Sequence, residues 1–293
     1  DADLLFSNES AQVLKASDAK KLGYFGRSVA IYDNIIAVGA SKADGLQVDS
    51  GAVYIFIDKN RDGFFDELPI KIQASDGKTN DGFGSNVLLQ SNRLIVAASK
   101  GFGATGSVYV FQDESGNNDF LDLSEQQLVS NSGDGGDKFP SGLAIRGNQI
   151  FVGASGDRNP GGSGNLNRNG AVYIFTDSNN DRNFVVSESP QKIESPWGNG
   201  GIGFGGGISV LDNKLIISAR SDYENGTQSG ALYFYVDTND NGNFIEESVQ
   251  KIIPSDGTDY TYFGGNVALT NKYLYAGATG DKLKGSYTGT VYR

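Results

Sequence analysis

The apolar residues of this chain fall in short runs broken by Gly, Asn, Asp and Ser, and no long stretch carries a helical stripe. A pattern of four runs recurs. The first, as in FGRSVAI from Phe25 and FGGNVAL from Phe263, alternates small residues (Ser28, Asn86, Gly142, Gly207, Asn266) with aliphatics (Val29, Val87, Leu143, Ile208, Val267). Period-two alternation predicts a strand, and small side chains suit one crowded near a central axis. A two-residue turn follows, Asp33-Asn34, Ser91-Asn92, Gly147-Asn148 or Asp212-Asn213, with the residue types a tight hairpin needs. The second run is almost wholly apolar (IIAVGA, LIVAA, IFVGA, LIISA, LYAGA), which predicts a strand covered on both faces. The third carries a Tyr, and the fourth (KIQAS, QLVSN, KIESP, KIIPS) is more polar and belongs outermost. The reading is all-β.

Three landmarks keep the copies in register. Phe-Gly opens a copy at Phe25, Phe83, Phe204 and Phe263, with Phe139-Pro140 as a variant, and successive copies are 58, 56, 65 and 59 residues apart. A small pair lies fourteen residues after each Phe: Gly39-Ala40, Ala97-Ala98, Gly153-Ala154, Ser218-Ala219 and Gly277-Ala278. A Gly-x-apolar-Tyr run starts at Gly51, Gly106, Gly170, Gly230 and Gly289. Sheets that cannot bury both faces alone pack radially, so the pattern predicts one domain, 1–293, forming a five-bladed β-propeller of four-stranded antiparallel blades. The blades are expected at 25–75, 83–131, 139–195, 204–255 and 263–293. The last copy stops after its third strand, while residues 11–17 (AQVLKAS) align with the fourth strands elsewhere. The N-terminal strand is therefore expected to complete the last blade, a 3+1 closure that removes two exposed edges.

These landmarks resemble FG-GAP repeats, found in integrin α-subunit propellers and in many secreted bacterial proteins. The resemblance spans essentially the whole chain, and units such as KIQASDGKTNDGFGSNVLL are more similar to the bacterial branch. It implies a secreted or cell-surface protein. The Pro of the family's Gly-Ala-Pro is absent, Phe139 is followed by Pro140, and five units replace the integrin seven. An integrin-like partner or conformational relay is therefore not implied.

Composition narrows the chemistry. The 293 residues include 24 Lys and Arg against 35 Asp and Glu, a formal charge of −11, with no His, Cys or Met. Without His or Cys there is no Ser-His-Asp triad, no thiol nucleophile and no ordinary zinc or haem ligand set. Disulfides are ruled out, so an extracellular chain needs another staple. Dispersed acids disfavour nucleic acid as a partner. No apolar run approaches the ~20 residues that span a bilayer, so no transmembrane segment is expected. The start at DADLLF rather than Met reads as a removed leader or an excised domain.

Between third and fourth runs lie acidic loops: Asp58–Glu67, Asp113–Asp122, Asp177–Glu188 and Asp237–Glu247. Oxygen side chains fall at the first, third and fifth positions: Asp58, Asn60, Asp62; Asp113, Ser115, Asn117; Asp177, Asn179, Asp181; Asp237, Asn239, Asn241. Calcium takes six to eight oxygens, and such a loop supplies them with a turn at position six and a carbonyl at seven (Phe64, Asp119, Asn183, Asn243). Loop one matches D-x-N-x-D-G-x-x-D in full, with Asp66 closing, and also looks like the integrin calcium loop, although that lies in the first hairpin of its blade. Loop four closes with Glu246 or Glu247 and loop three with Glu188, while loop two, with Ser115, Asn117 and only Asp122 nearby, is the poorest match. Three to four structural calcium sites are expected; the plain alternative is a set of solvated turns.

Function is weighed among three classes. A glycosidase needs carboxylates converging at the axial mouth, yet none of the inner strands contains Asp or Glu, and Asp76, Asp81, Asp137 and Asp259 read as turn residues. Catalysis is therefore not expected. The rim opposite the acidic loops carries variable inserts from Ser41, Ser155, Arg220 and Thr279. Trp197, Tyr223, Tyr260, Tyr262 and Tyr287 there are candidates to stack on sugars or anchor a protein; alternatively their rings pack across blade seams. The expected role is a non-catalytic adhesion or ligand-binding module for an extracellular glycan or surface protein. The alternative is a self-assembling structural subunit of an extracellular filament.

Overall fold

The computed structural model describes residues 12–65, 67–100, 105–130, 136–158, 169–184, 190–196, 203–245, 247–282 and 288–293. Among them, strands form five antiparallel sheets. The first contains β1 (Phe25–Tyr32), β2 (Ile35–Ala40), β3 (Ala52–Ile57) and β4 (Ile70–Ile72); the second β5 (Phe83–Gln90), β6 (Arg93–Ala98), β7 (Ser107–Asp113) and β8 (Leu123–Leu128). The third contains β9 (Leu143–Arg146), β10 (Gln149–Ala154), β11 (Ala171–Thr176) and β12 (Gln191–Glu194). The fourth is β13 (Phe204–Leu211), β14 (Lys214–Ala219), β15 (Ala231–Val236) and β16 (Val249–Ile252). The fifth has three strands, β17 (Phe263–Leu269), β18 (Leu274–Ala278) and β19 (Thr290–Tyr292). Each strand pairs with its neighbour in sequence, so every sheet is a meander.

The landmarks have packing causes. Phe25 pairs with Ala40 and Ser28 with Gly39, which leaves Gly26 and Arg27 as a bulge. The bulge glycines Gly26, Gly84, Gly205 and Gly264 stand at φ of +87, +88, +90 and +87°, where an L side chain is strained. In the third copy Pro140 has no N–H for a ladder, and β9 begins only at Leu143. Each opening Phe then meets the third-strand Tyr edge to face. Ring centroids are 5.6 Å apart for Phe25–Tyr54, 5.4 Å for Phe83–Tyr109, 5.9 Å for Phe139–Tyr173, 5.1 Å for Phe204–Tyr233 and 5.2 Å for Phe263–Tyr292. Such a contact contributes about 0.5–1.5 kcal/mol beyond area burial. Gly39 serves close approach: a Cβ there would stand 2.1 Å from the Gly84 carbonyl oxygen.

Consecutive sheets share apolar seams. Val53, Val87 and Phe111 lie in the first seam, Val108, Leu143 and Tyr173 in the second, Val172, Ile208 and Tyr233 in the third, and Leu232, Phe263 and Ala276 in the fourth. The equivalent positions Val53, Val108, Val172 and Leu232 are all 0% exposed, but Val291 on β19 is 70% exposed. Val29 and Ile31 on β1 are 62% and 69% exposed, where their counterparts Val87 and Leu89 are at 2% and 9%. These faces of the fifth and first sheets are not packed together, so the expected ring is not closed among the described residues.

Residues 12–17 make no ladder with β19, contrary to the expected completion of the last blade. They lie against the first sheet, where Leu14 and Ala16 pack on the cluster of Val38, Tyr54 and Phe56. Ile72 and Ala74 hold the matching places in the next seam. Polar contacts from Gln12 to Phe65, and from Tyr54 and Lys71 to Asp18, complete the docking. None of these contacts involves β19, so docking does not itself require closure.

Candidate metal loops

Four acidic loops share one conformation. Their first residues, Asp58, Asp113, Asp177 and Asp237, are buried. Each is clamped by the Asn of the first hairpin in its own sheet: Asn34, Asn92, Asn148 and Asn213 accept the Asp N–H at their backbone oxygen and donate Nδ2 to the Asp carbonyl. The fourth position has positive φ at Arg61, Gly116, Asn180 and Asp240, and the sixth at Gly63, Asn118, Arg182 and Gly242. Glycine at the sixth position is therefore dispensable. The eighth position drives a Phe into a seam: Phe120, Phe184 and Phe244 are buried, and Phe65 packs beside Leu14.

The side-chain oxygens wrap the turn. Asp58 accepts N–H from Gly63 (2.8 Å) and Asp62 (3.3 Å), and Asp62 accepts from Phe64 (2.8 Å). Asp237 accepts from Gly242 (2.8 Å) and Asn241 (3.1 Å), while Asn241 and Asn243 cap Asn243 and Ile245. Asn60, Asn179 and Asn239 each accept the N–H two residues on. Asp177 accepts from Arg182, and Asp181 from Asn183.

Among the described residues, the loop ranked poorest in sequence gathers three carboxylates. Oxygens of Asp113, Asp119 and Asp122 lie within 4.8 Å of one another. Asp113 Oδ2 is buried without a hydrogen-bond partner, as is Asp177 Oδ1 in loop three. Burial opposes ionisation of Asp113, but polar contacts from Ser115 and the N–H groups of the loop outweigh it and hold its carboxyl below the ordinary range. Asn117 instead donates to Asp119, and Ser115 to Asp113. In loop four Glu247 accepts from Thr238 N and Oγ1 at 3.0 and 3.1 Å, which ties the legs of the hairpin. The closing residues Asp66, Glu188 and Glu246 lie outside the described residues. An orphaned carboxylate oxygen beside further oxygen donors fits a hard cation such as calcium.

On the opposite rim, third-strand Tyr hydroxyls donate to loop aspartates: Tyr109 to Asp76 (2.6 Å), Tyr233 to Asp222 (2.8 Å), and Tyr292 to Asp281 (2.7 Å) and Asp256 (2.9 Å). Tyr260 and Tyr262 stand 6.3 Å apart, joined to the Arg220–Ser229 insert through Thr227 and Gln228 carbonyls. Tyr223, in that insert, and Tyr260 are exposed. Trp197 and Tyr287 fall outside the described residues. At the head of the inner strands of the first three sheets lies a cavity of about 1070 Å³, lined by Arg27, Lys42, Asn80, Asn86, Ser99 and Ser141 among others and, among the described residues, by no carboxylate. No described helix is long and apolar enough to cross a membrane.

The clamping asparagines were legible only as turn formers. Their recurrence at the second turn position in four copies was the available signal.

Among solved structures, Kuenenia stuttgartiensis hydrazine synthase is similar at 12% identity and a TM-score of 0.50, over 89% of this chain and 68% of that one. The likeness is one of fold alone. The computationally designed Ika4 protein aligns at 12% identity and a TM-score of 0.43, over 78% of this chain and 98% of its own. No curated protein matches the sequence. The FG-GAP repeat matches at residues 9–56, 69–111, 123–175 and 247–292; the last three run from a fourth strand (β4, β8, β16) into the third strand of the next unit (β7, β11, β19), and the first ends in β3. These matches together take in more than half of the sequence, and the chain belongs to the FG-GAP repeat family.

Proposed function

We propose that this chain is a secreted or cell-surface propeller of five blades, closed 3+1 and stapled by calcium, which binds a glycan or surface protein without catalysis. The cavity at the head of the inner strands, lined by no carboxylate among the described residues, carries the binding reading. It offers cations, amides and hydroxyls for recognition but no acid–base pair for glycoside cleavage. Tyr223, Tyr260 and Tyr262 extend the same rim.

Closure is supported by the uncovered Val29, Ile31 and Val291, whose repeat counterparts are buried. Fully burying such a side chain contributes about 1.5–3 kcal/mol. Closure is also supported by the family match that begins at residue 9 and so takes in the N-terminal segment. Calcium is supported by the unpartnered oxygens of Asp113 and Asp177.

A glycan and matrix-protein array, run with calcium and with EDTA, tests the reading. Hits lost on substitution of Tyr260 or Arg27 support a binder, and turnover of a polysaccharide overturns it. The second reading, a self-assembling structural subunit, draws on the same exposed apolar faces. Silence on the array with concentration-dependent association by light scattering selects it.

A further inference from the structure

The acidic loops differ in what positive charge their seams already supply. In loop four, Arg146 reaches across from β9: Nη1 donates to the Asp212 carbonyl at 2.8 Å, and Nη2 stands 3.6 Å from Asp237 Oδ2. Its guanidinium carbon lies 5.1 Å from the Phe244 ring centroid, a cation–π contact that holds it in place. Asp237 is wholly buried, and each of its oxygens already accepts a backbone N–H. Gln149 Nε2 occupies the Gly242 carbonyl at 2.9 Å. Space is not the obstacle to an ion, since a cavity of about 680 Å³ opens beside these residues. The obstacle is a carboxylate already saturated and neutralised from within.

Loop two is the opposite case. The first sheet offers its seam Tyr32 and Ile35 at the positions where the third sheet offers Arg146 and Gln149. The guanidinium at that hairpin, Arg61, is held by both oxygens of Asp33, and Arg182 stands 3.6 Å from Glu114. Neither is bound to Asp113, whose Oδ2 is buried and unpartnered with Asp119 and Asp122 converging beside it. Loop three is intermediate. Asp177 Oδ1 is unpartnered, while Arg93 lies over Phe184 at 4.9 Å and donates to the Gly147 carbonyl and Gln112. Loop one faces the unfilled seam, and its own Arg61 is held by Asp33.

We infer that Arg146 is the resident cation of loop four, and that among loops two, three and four calcium enters loop two first and loop three next, but not loop four. The inference rests on the calcium reading above. A fixed guanidinium repels an incoming divalent ion, and affinity in oxygen loops rises with the number of ligating carboxylates.

Calorimetric titration of the full chain with calcium, beside thermal melts, tests it on three variants. Asp119→Asn should remove one calcium equivalent or weaken the tightest phase at least tenfold. Asn239→Ala, an exposed change in loop four, should leave stoichiometry and affinity unchanged. Arg146→Gln should lower the melting temperature without calcium, gain one equivalent and recover stability in millimolar calcium. Loss of an equivalent in Asn239→Ala, or an unchanged isotherm in Asp119→Asn, overturns the inference while leaving the calcium reading intact. These two outcomes decide the matter even if Arg146→Gln does not fold. Absence of calcium binding to the wild type, checked by equilibrium dialysis, sinks the calcium reading and this ranking together.

Discussion

Gln12 grips both polar groups of Phe65: its Nε2 donates to the Phe65 carbonyl and its Oε1 accepts the Phe65 N–H, each at 2.9 Å. Two seams on, Gln126 of β8 treats loop three alike, accepting the Phe184 N–H at 2.9 Å and donating to the Arg182 carbonyl. The N-terminal segment therefore stands to the first sheet as the fourth strand of the second sheet stands to the third.

Removing residues 1–17 should leave Tyr54, Phe56 and Phe65 uncovered and give an aggregating or unfolded product. A soluble truncation with a cooperative melt contradicts this. Gln12→Ala is the gentler probe. It should cost about 0.5–1.5 kcal/mol for each hydrogen bond lost, read as a lower denaturant midpoint.

Calcium removal should destabilise the chain. Asp113 Oδ2 and Asp177 Oδ1 have no protein partner, and buried polar groups without one are costly. Excess EDTA should lower the melting temperature relative to millimolar calcium. Identical melts in both conditions argue against a structural ion.

Asn92→Ala should loosen loop two. The change removes the Nδ2 bond to the Asp113 carbonyl, 2.9 Å long, and leaves that acceptor to be satisfied otherwise. A loss of about 1 kcal/mol is expected, together with weaker calcium binding. A variant with wild-type stability and calcium affinity would count against the clamp.

Alkaline conditions should unfold the protein. Burial first, and then hydrogen bonds to aspartates, raise Tyr54, Tyr109, Tyr233 and Tyr292 above the ordinary 10.0; burial alone raises Tyr235. Their stabilising contribution is whole below pH 10 and is lost as pH rises through the higher native values. Tyrosinate absorbance from these residues should therefore appear together with loss of β-sheet ellipticity. Their titration near pH 10 in a fully folded chain would contradict the burial.

Acid should release the N-terminal segment. Hydrogen bonds from Lys71 and then Tyr54 hold the Asp18 carboxyl below the ordinary 3.8. That contribution is complete above pH ~4 and fades as pH falls through the lower native value. Hydrogen exchange at residues 12–18 should rise there, and Asp18→Asn should show the raised exchange at neutral pH.

Strand order and the Phe-Gly and Gly-x-apolar-Tyr landmarks were legible in the chain because each copy repeats one set of local demands. The bulge and the Phe–Tyr ring contact that these landmarks serve emerged only in the fold. An alternating run, a turn pair and a Gly at positive φ recur at fixed offsets, and the same steric rules act on every copy. The acidic loops were legible for the same reason: they are continuous stretches with oxygen side chains at alternate positions.

Relations across the seams were not legible. The sequence by itself determined an all-β FG-GAP repeat chain with acidic loops between third and fourth strands. The tertiary structure decided that Asp113, Asp119 and Asp122 converge in the loop that looked poorest, and that Arg146 answers Asp237 from another sheet. It also docked the N-terminal segment on the first sheet, with the outer edge of β19 left unpaired among the described residues. The physical reason is range. Turns, bulges and alternation follow from residues a few positions apart, whereas charge compensation and burial depend on which distant side chains the seams bring within a few ångströms.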